Sequence, residues 1–239
     1  MYLVTGASSG IGRSVACELL KRGFSVASVA RRSMSSSVLS QYGKQVISIN
    51  ADVTTESGLN TIASVLTGRL VHGVVHAAGS HIALASYAHL NSESMNRDMS
   101  VHVSAPIAIN NRLAQQLEGV RIIYIDSYSA NAPRVGWSGY SIVKAAAQMA
   151  AKSGVAEMSH TRIIRGFPGG VKMPLVEAVL NSEFTSTTAL AFRELDAKGD
   201  IVEPAGIGRY ITDILVLATD QQLEVREFWD FNNPADRVF

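Results

Sequence analysis

Cysteine is almost absent from this chain: Cys17 is the only one among 239 residues. A single thiol excludes an intramolecular disulfide framework and suits a reducing compartment, so Cys17 reads as a small buried hydrophobe on a helix. Charge of one sign is missing too. Lys and Arg number 21 against 20 Asp and Glu, a net of +1, so no field advertises nucleic acid or an anionic membrane as a partner. No apolar run reaches the length of a membrane span. The opening Met1-Tyr2-Leu3-Val4-Thr5 has no basic segment and no cleavage site, so no signal peptide is expected and the expected location is cytoplasmic. No repeat or linker divides the chain, and the serine-rich stretch 33–37 is short enough to be a loop. No metal site is expected. What remains is 47% hydrophobic and 17% charged, the balance of a single compact domain with a substantial core.

Short apolar, β-prone segments alternate with helical ones. Strands are expected at 2–5, 24–30, 46–49, 70–76, 120–126 and 162–167, with a last one near 225–231. Helices are expected after Gly12, over 55–66, over most of 92–117 with a kink at Pro106, from about 138, and from Pro204 to about 218. That alternation predicts an α/β fold: a doubly wound parallel sheet of Rossmann type in a single domain. Residues 172–201 show helical pieces but no clear strand, and are the candidate for a substrate lid.

The turn Gly6-Ala7-Ser8-Ser9-Gly10-Ile11-Gly12 joins the first strand to the first helix. A glycine-rich turn there aims backbone N–H groups at an anion, and the helix dipole favours negative charge. Gly6 permits a tight turn, and Gly10 and Gly12 allow close approach of a pyrophosphate. The second strand ends at Ala30-Arg31-Arg32 with no carboxylate. An acid at that point would bind a free ribose hydroxyl, whereas guanidinium groups match a 2′-phosphate, so the expected cofactor is NADP(H). Asp52 and Val53, at the end of the third strand, are placed to meet the adenine. Ala78 and Gly79, after the fourth, let a cofactor approach the backbone.

In Gly139-Tyr140-Ser141-Ile142-Val143-Lys144 a phenol and an ammonium stand four residues apart, on one face of a helix. A cation beside a phenol favours the phenolate and lowers its pKa, giving a proton donor or acceptor near neutral pH. Ser127 ends the fifth strand, and ligands in such sheets bind outside the carboxyl ends of strands.

The order of these motifs resembles the short-chain dehydrogenase/reductase family over residues 1 to about 171. Thr5 to Gly12 is similar to its cofactor loop, with Ser8, Ser9 and Ile11 inside it. His76-Ala77-Ala78-Gly79 is similar to its Asn-Asn-Ala-Gly segment with both asparagines replaced. Ser127, Tyr140 and Lys144 match its catalytic serine, tyrosine and lysine. Pro168, Gly169 and Val171 match the turn beside the nicotinamide. The resemblance implies that Lys144 also binds the nicotinamide ribose beside Tyr140, and that the chain forms a homodimer or homotetramer through two long helices. Two positions depart from the pattern. His102 stands where relatives carry a relay asparagine, and Met173 falls near a threonine that contacts the nicotinamide amide. Imidazole titrates near neutrality, so His102 as a relay is expected to shape the acid limb of the rate profile; the competing expectation is that it packs in the helix.

The function these residues point to is an NADP(H)-dependent oxidoreductase for a carbonyl or the corresponding alcohol, with Tyr140 as general acid or base. A catalytically weak NADP-binding sensor or scaffold competes, but does not need Ser127, Tyr140 and Lys144 together. The substrate pocket is expected from His81 to Tyr87, Ala130 to Trp137 and Met173 to Ile201, including Phe184 and Phe192. In it, Arg134 either binds an anionic group or lies solvated.

Overall fold

The computed structural model describes residues 1–80, 85–181, 187–224, 226 and 228–237. Seven strands form one parallel sheet in the order β3-β2-β1-β4-β5-β6-β7: β1 (Tyr2–Thr5), β2 (Val26–Ala30), β3 (Val46–Asn50), β4 (Gly73–His76), β5 (Arg121–Ile125), β6 (Arg162–Phe167) and β7 (Phe228–Asp230). The order reverses between β1 and β4, which makes their carboxyl ends a topological switch point.

Side-chain alternation along the strands supplies both faces of the core. Tyr2 and Val4 of β1 pack with Ile11, Val15 and Leu19 of α1 (Gly10–Lys21) and with Ile207, Ile211 and Ile214 of α9 (Pro204–Val216). Leu3, between them in sequence, points the other way. It packs with Leu59, Ile62 and Leu66 of α3 (Glu56–Leu66), Ile109 of α5 (Ala105–Arg112) and Ala151 of α6 (Ser138–Glu157). The sheet is therefore covered on both faces, which is why its strands read as near-continuous apolar runs.

Three details differ from expectation, and the candidate lid has the helical pieces expected of it. Residues 36–42 are not part of a loop but form α2 (Ser36–Tyr42). The helix expected over 92–117 is α4 (Ser92–Met99), a π-helical turn over Ser100–Ser104 and then α5, followed by a 3₁₀ turn at Ala114–Gln116. The distortion lies upstream of Pro106 because proline has no N–H to offer the carbonyl of His102 four residues back. The candidate lid holds α7 (Pro174–Leu180) and α8 (Thr187–Ala197), and a parallel bridge between Val171 and Val202 pins its two ends together. After α10 (Asp220–Glu224) the last strand is shorter than expected; Val225 and Glu227 lie outside the described residues.

Candidate active site

The carboxyl ends of β1, β4, β5 and β6 carry the predicted site residues, and the glycine turn after β1 is held by close backbone contacts. Gly6 has φ +69°, and a Cβ on it would meet the Ala77 carbonyl oxygen at 2.6 Å. Only glycine combines that conformation with that approach. A Cβ on Gly12 would lie 2.5 Å from the Gly6 oxygen and 2.9 Å from the Thr5 oxygen. Gly12 thus seats α1 against its own turn, the close backbone approach expected of it. Thr5, which the sequence reading passed over, fixes the neighbouring loop. Its hydroxyl accepts from the Ala77 and Ala78 amides at 3.1 and 3.0 Å.

This turn fits a pyrophosphate on the structure's own terms. The N-cap Ser9 makes no side-chain capping bond, and the first turn of α1 has no acid. Thr55 caps α3 and Asn91 caps α4, whereas α1 shares the absence of a side-chain cap with α2, α6, α7 and α9. The first amides of α1 and its positive dipole end are left for an anion, flanked by Ser8, Gly10 and Ile11. Met173, which falls near the position of the family's threonine, places its sulfur 3.5 Å from where a Cβ on Gly10 would be. Arg31 and Arg32 follow β2 and are both exposed. Asp52 is turned to its own loop: its Oδ1 accepts from the Thr54 amide and hydroxyl at 2.9 and 2.7 Å, which lowers its pKa, with Arg31 as a smaller influence. Val53 beside it is buried. Across the site, Gly169 has φ +75° and packs on Asn232, and Val171 enters the bridge to Val202 after the buried Pro168.

Ser127, Tyr140 and Lys144 converge. Ser127 follows β5 and its Oγ accepts from the Ser129 amide at 3.2 Å. The Ser127 hydroxyl also lies within hydrogen-bonding reach of the Tyr140 phenol. Tyr140 is in the first turn of α6 and Lys144 one turn on, so the expected common face is present. The electrostatics differ from expectation. Burial is the largest influence on Tyr140 and raises its pKa; the Ser127 hydrogen bond lowers it, Asp126 raises it and Arg134 lowers it. Lys144 is buried and donates to the Ile125 carbonyl at 2.7 Å. Burial pushes its pKa down to about 8, against an upward pull from Asp126.

Asp126 is a second residue that the sequence reading passed over. Its signal was legible as a carboxylate at the end of an apolar strand. It is 5% exposed. It accepts from the Ser127 amide at 2.7 Å, from Arg165 Nη1 at 3.2 Å and from Gln148 Nε2 at 3.3 Å.

His102 sits within the π turn. Its Nε2 accepts from the Ser80 amide at 3.3 Å, and the Ser80 hydroxyl donates to Asp98 at 2.5 Å. Its ring also packs on Gly79, where a Cβ would come within 3.3 Å of Cε1. Part of the residue reaches solvent, but its ring is enclosed. Burial first, and the Lys144 charge second, push its pKa down to about 3. The expectation that His102 titrates near neutrality and shapes the acid limb is therefore corrected: it stays neutral. His76, in place of the first asparagine of the loop motif, is fully enclosed and bonded through Nε2 to Asn110 at 2.9 Å, with its pKa down to about 4. Asn110 in turn donates to the Tyr124 hydroxyl at 3.0 Å.

On the substrate side, Trp137 meets Tyr140 edge-on at 5.5 Å and stacks on Phe192 of α8 at 5.5 Å with an interplanar angle of 6°. His81 and Phe184, expected in the pocket, lie outside the described residues.

The short chain dehydrogenase family model matches residues 1–183. A benzil reductase forming (S)-benzoin, from Bacillus subtilis, is 23% identical over 95% of this chain and 99% of its own. Among solved structures, a short-chain dehydrogenase/reductase from Saccharomyces cerevisiae aligns with a TM-score of 0.87 at 18% identity, covering 98% of this chain and 97% of that one. A 3-ketoacyl-(acyl-carrier-protein) reductase from Brucella melitensis, complexed with NADH, aligns at 0.80 and 20% identity over 96% of this chain and 95% of its own.

Proposed function

Because this chain belongs to the short-chain dehydrogenase/reductase family, we propose that it is an NADP(H)-dependent reductase of a carbonyl compound, working in reverse on the alcohol. The observation that carries this reading is the convergence of Ser127, Tyr140 and Lys144 beside an uncapped helix N-terminus. The substrate oxygen sits between the Ser127 hydroxyl and the Tyr140 phenol. Ser127 donates a hydrogen bond that polarises the carbonyl, and Tyr140 supplies the proton as the oxygen gains charge. Burial keeps the Tyr140 phenol protonated before reaction, and positive charge from Lys144 is what eases the release of that proton. Lys144 adds positive charge behind the phenol and reaches the nicotinamide ribose once it leaves the Ile125 carbonyl. The bound nicotinamide supplies the hydride. The turn at Gly6–Gly12 holds the pyrophosphate, Arg31 and Arg32 hold the 2′-phosphate, and Ala78 and Gly79 border the rest of the cofactor.

The Trp137–Phe192 stack beside Tyr140 favours a substrate with an apolar or aromatic group next to its carbonyl. The name of the Bacillus subtilis relative agrees with that preference. A homodimer or homotetramer through α5 and α6 belongs to the same reading, since Ile107 on α5 and Ile142 and Met149 on α6 are exposed.

The test is NADPH oxidation across a panel of aryl and alkyl ketones. Tyr140→Phe keeps the ring and removes the proton donor. Turnover is expected to fall about 10²-fold or more, with NADPH affinity near normal. Wild-type turnover in this variant, on a ketone the native protein reduces, would discard the mechanism.

A further inference from the structure

Three donors from three elements converge on the Asp126 carboxylate: the Ser127 amide following β5, Arg165 on β6 and Gln148 on α6. The Asp126 side chain is 2% exposed and that of Arg165 12%. An ion pair so buried is poor evidence of a stabilising role, because apolar residues of similar volume hold two strands as well. Its place in the chain gives it another use. The residue before it, Ile125, offers the carbonyl that binds the Lys144 ammonium, and the residue after it is Ser127.

We propose that Asp126 is a positioning residue for the Ser127–Tyr140–Lys144 group, orienting the Ser127 backbone and setting a buried negative charge one residue from the carbonyl that holds Lys144. This rests on the reading of that group as a reductase site. The groups around it are Arg165 from β6, Tyr140 and Lys144 from α6, His102 from the π turn and Arg134 from the loop before α6. Of these, Arg165 bonds Asp126 directly, and the negative charge raises the proton affinity of both Lys144 and Tyr140. His102 stays neutral and Arg134 pulls Tyr140 the other way. The two effects of Asp126 have the same sign. Each keeps a proton on the group that carbonyl reduction needs protonated, so each extends activity to higher pH.

Asp126→Asn keeps an acceptor for the Ser127 amide and removes the charge. Two readouts are taken: the alkaline limb of kcat/KM for ketone reduction, and the titration of Lys144 followed by NMR in protein labelled at lysine Cε, assigned with Lys144→Met. Both midpoints are expected to fall by about one pH unit, and Asp126→Glu is expected to restore them. If Asp126→Asn leaves Arg165 unpaired and fails to fold, the double variant Asp126→Asn/Arg165→Gln removes both charges and is expected to show a smaller fall of the same sign, because the lost Arg165 cation opposes protonation of Lys144. An unchanged Lys144 midpoint in whichever variant folds overturns the proposal and leaves Asp126 as a tie between β5 and β6. A shifted Lys144 midpoint with no ketone reduced by the wild type keeps the counter-charge and discards the reductase reading instead.

Discussion

At the level of single side chains, the proposed choice of NADP(H) rests on Arg31 and Arg32. Both are exposed after β2, where a carboxylate would accept a ribose hydroxyl, and a guanidinium prefers a phosphate. Replacing both with Ala is expected to weaken NADPH binding by about 1.5–3 kcal/mol per lost contact while leaving NADH binding nearly unchanged. Fluorescence titration with each cofactor measures the difference, and equal losses would reject the assignment. His102 makes a prediction of the opposite kind. Held neutral by its enclosure and bonded to the Ser80 amide, it gives the rate profile no titration between pH 5 and 9. His102→Asn is expected to leave the shape of that profile unaltered. His102→Leu strips the Ser80 amide of its acceptor and is expected to cost about 1–3 kcal/mol of stability, read by urea unfolding. These side chains show the limit of the sequence. The exposed position of the arginines could be read because a strand end follows from topology. The state of His102 depends on which groups enclose it, and no spacing reports that.

At the level of elements, the glycine turn and α1 form one unit. Gly12 has the Gly6 and Thr5 carbonyl oxygens where a Cβ would go. Gly12→Ala is therefore expected to lower stability by about 1–3 kcal/mol through backbone displacement, and to weaken NADPH binding with it. A melting temperature equal to wild type would mean that α1 shifts freely, and would reject the packing role. The strands were legible because parallel strands buried on both faces must be apolar throughout, as in β4, although the expected strand over 70–76 began three residues early and Leu70 is exposed. The π turn was not. Pro106 announced a kink, but its missing N–H is absorbed as a π turn over Ser100–Ser104 rather than as a bend at the proline. Helix α2 was hidden by serines, which favour caps and turns over helix interiors.

Across the whole molecule, buried histidines make the fold sensitive to acid. The folded-state pKa of His76, about 4, lies below its unfolded value of 6.5. Between those values the unfolded chain binds more protons, so stability rises with pH there. It is complete above about 6.5 and is lost as pH falls toward 4. His102 adds in the same direction. Urea unfolding at several pH values from 4.5 to 7 is expected to show this slope. His76→Asn is expected to flatten it by up to about 1.4 kcal/mol per pH unit. An identical slope would place the acid sensitivity elsewhere.

The bridge between Val171 and Val202 has a consequence for redesign. The Lys172 amide donates to the Val202 carbonyl, and the Val202 amide to the Gly170 carbonyl, each at 2.9 Å. The whole stretch from 172 to 201 therefore leaves the body of the protein and returns to it at one point, outside the seven strands. Such a stretch behaves as a cassette. Exchanging it for the corresponding stretch of another family member replaces Phe192, the rest of the wall facing Trp137 and the Met173 contact with Gly10, while the sheet and Ser127, Tyr140 and Lys144 stay as they are. Altered substrate choice with retained cofactor affinity is what a chimera joined at those two valines should deliver.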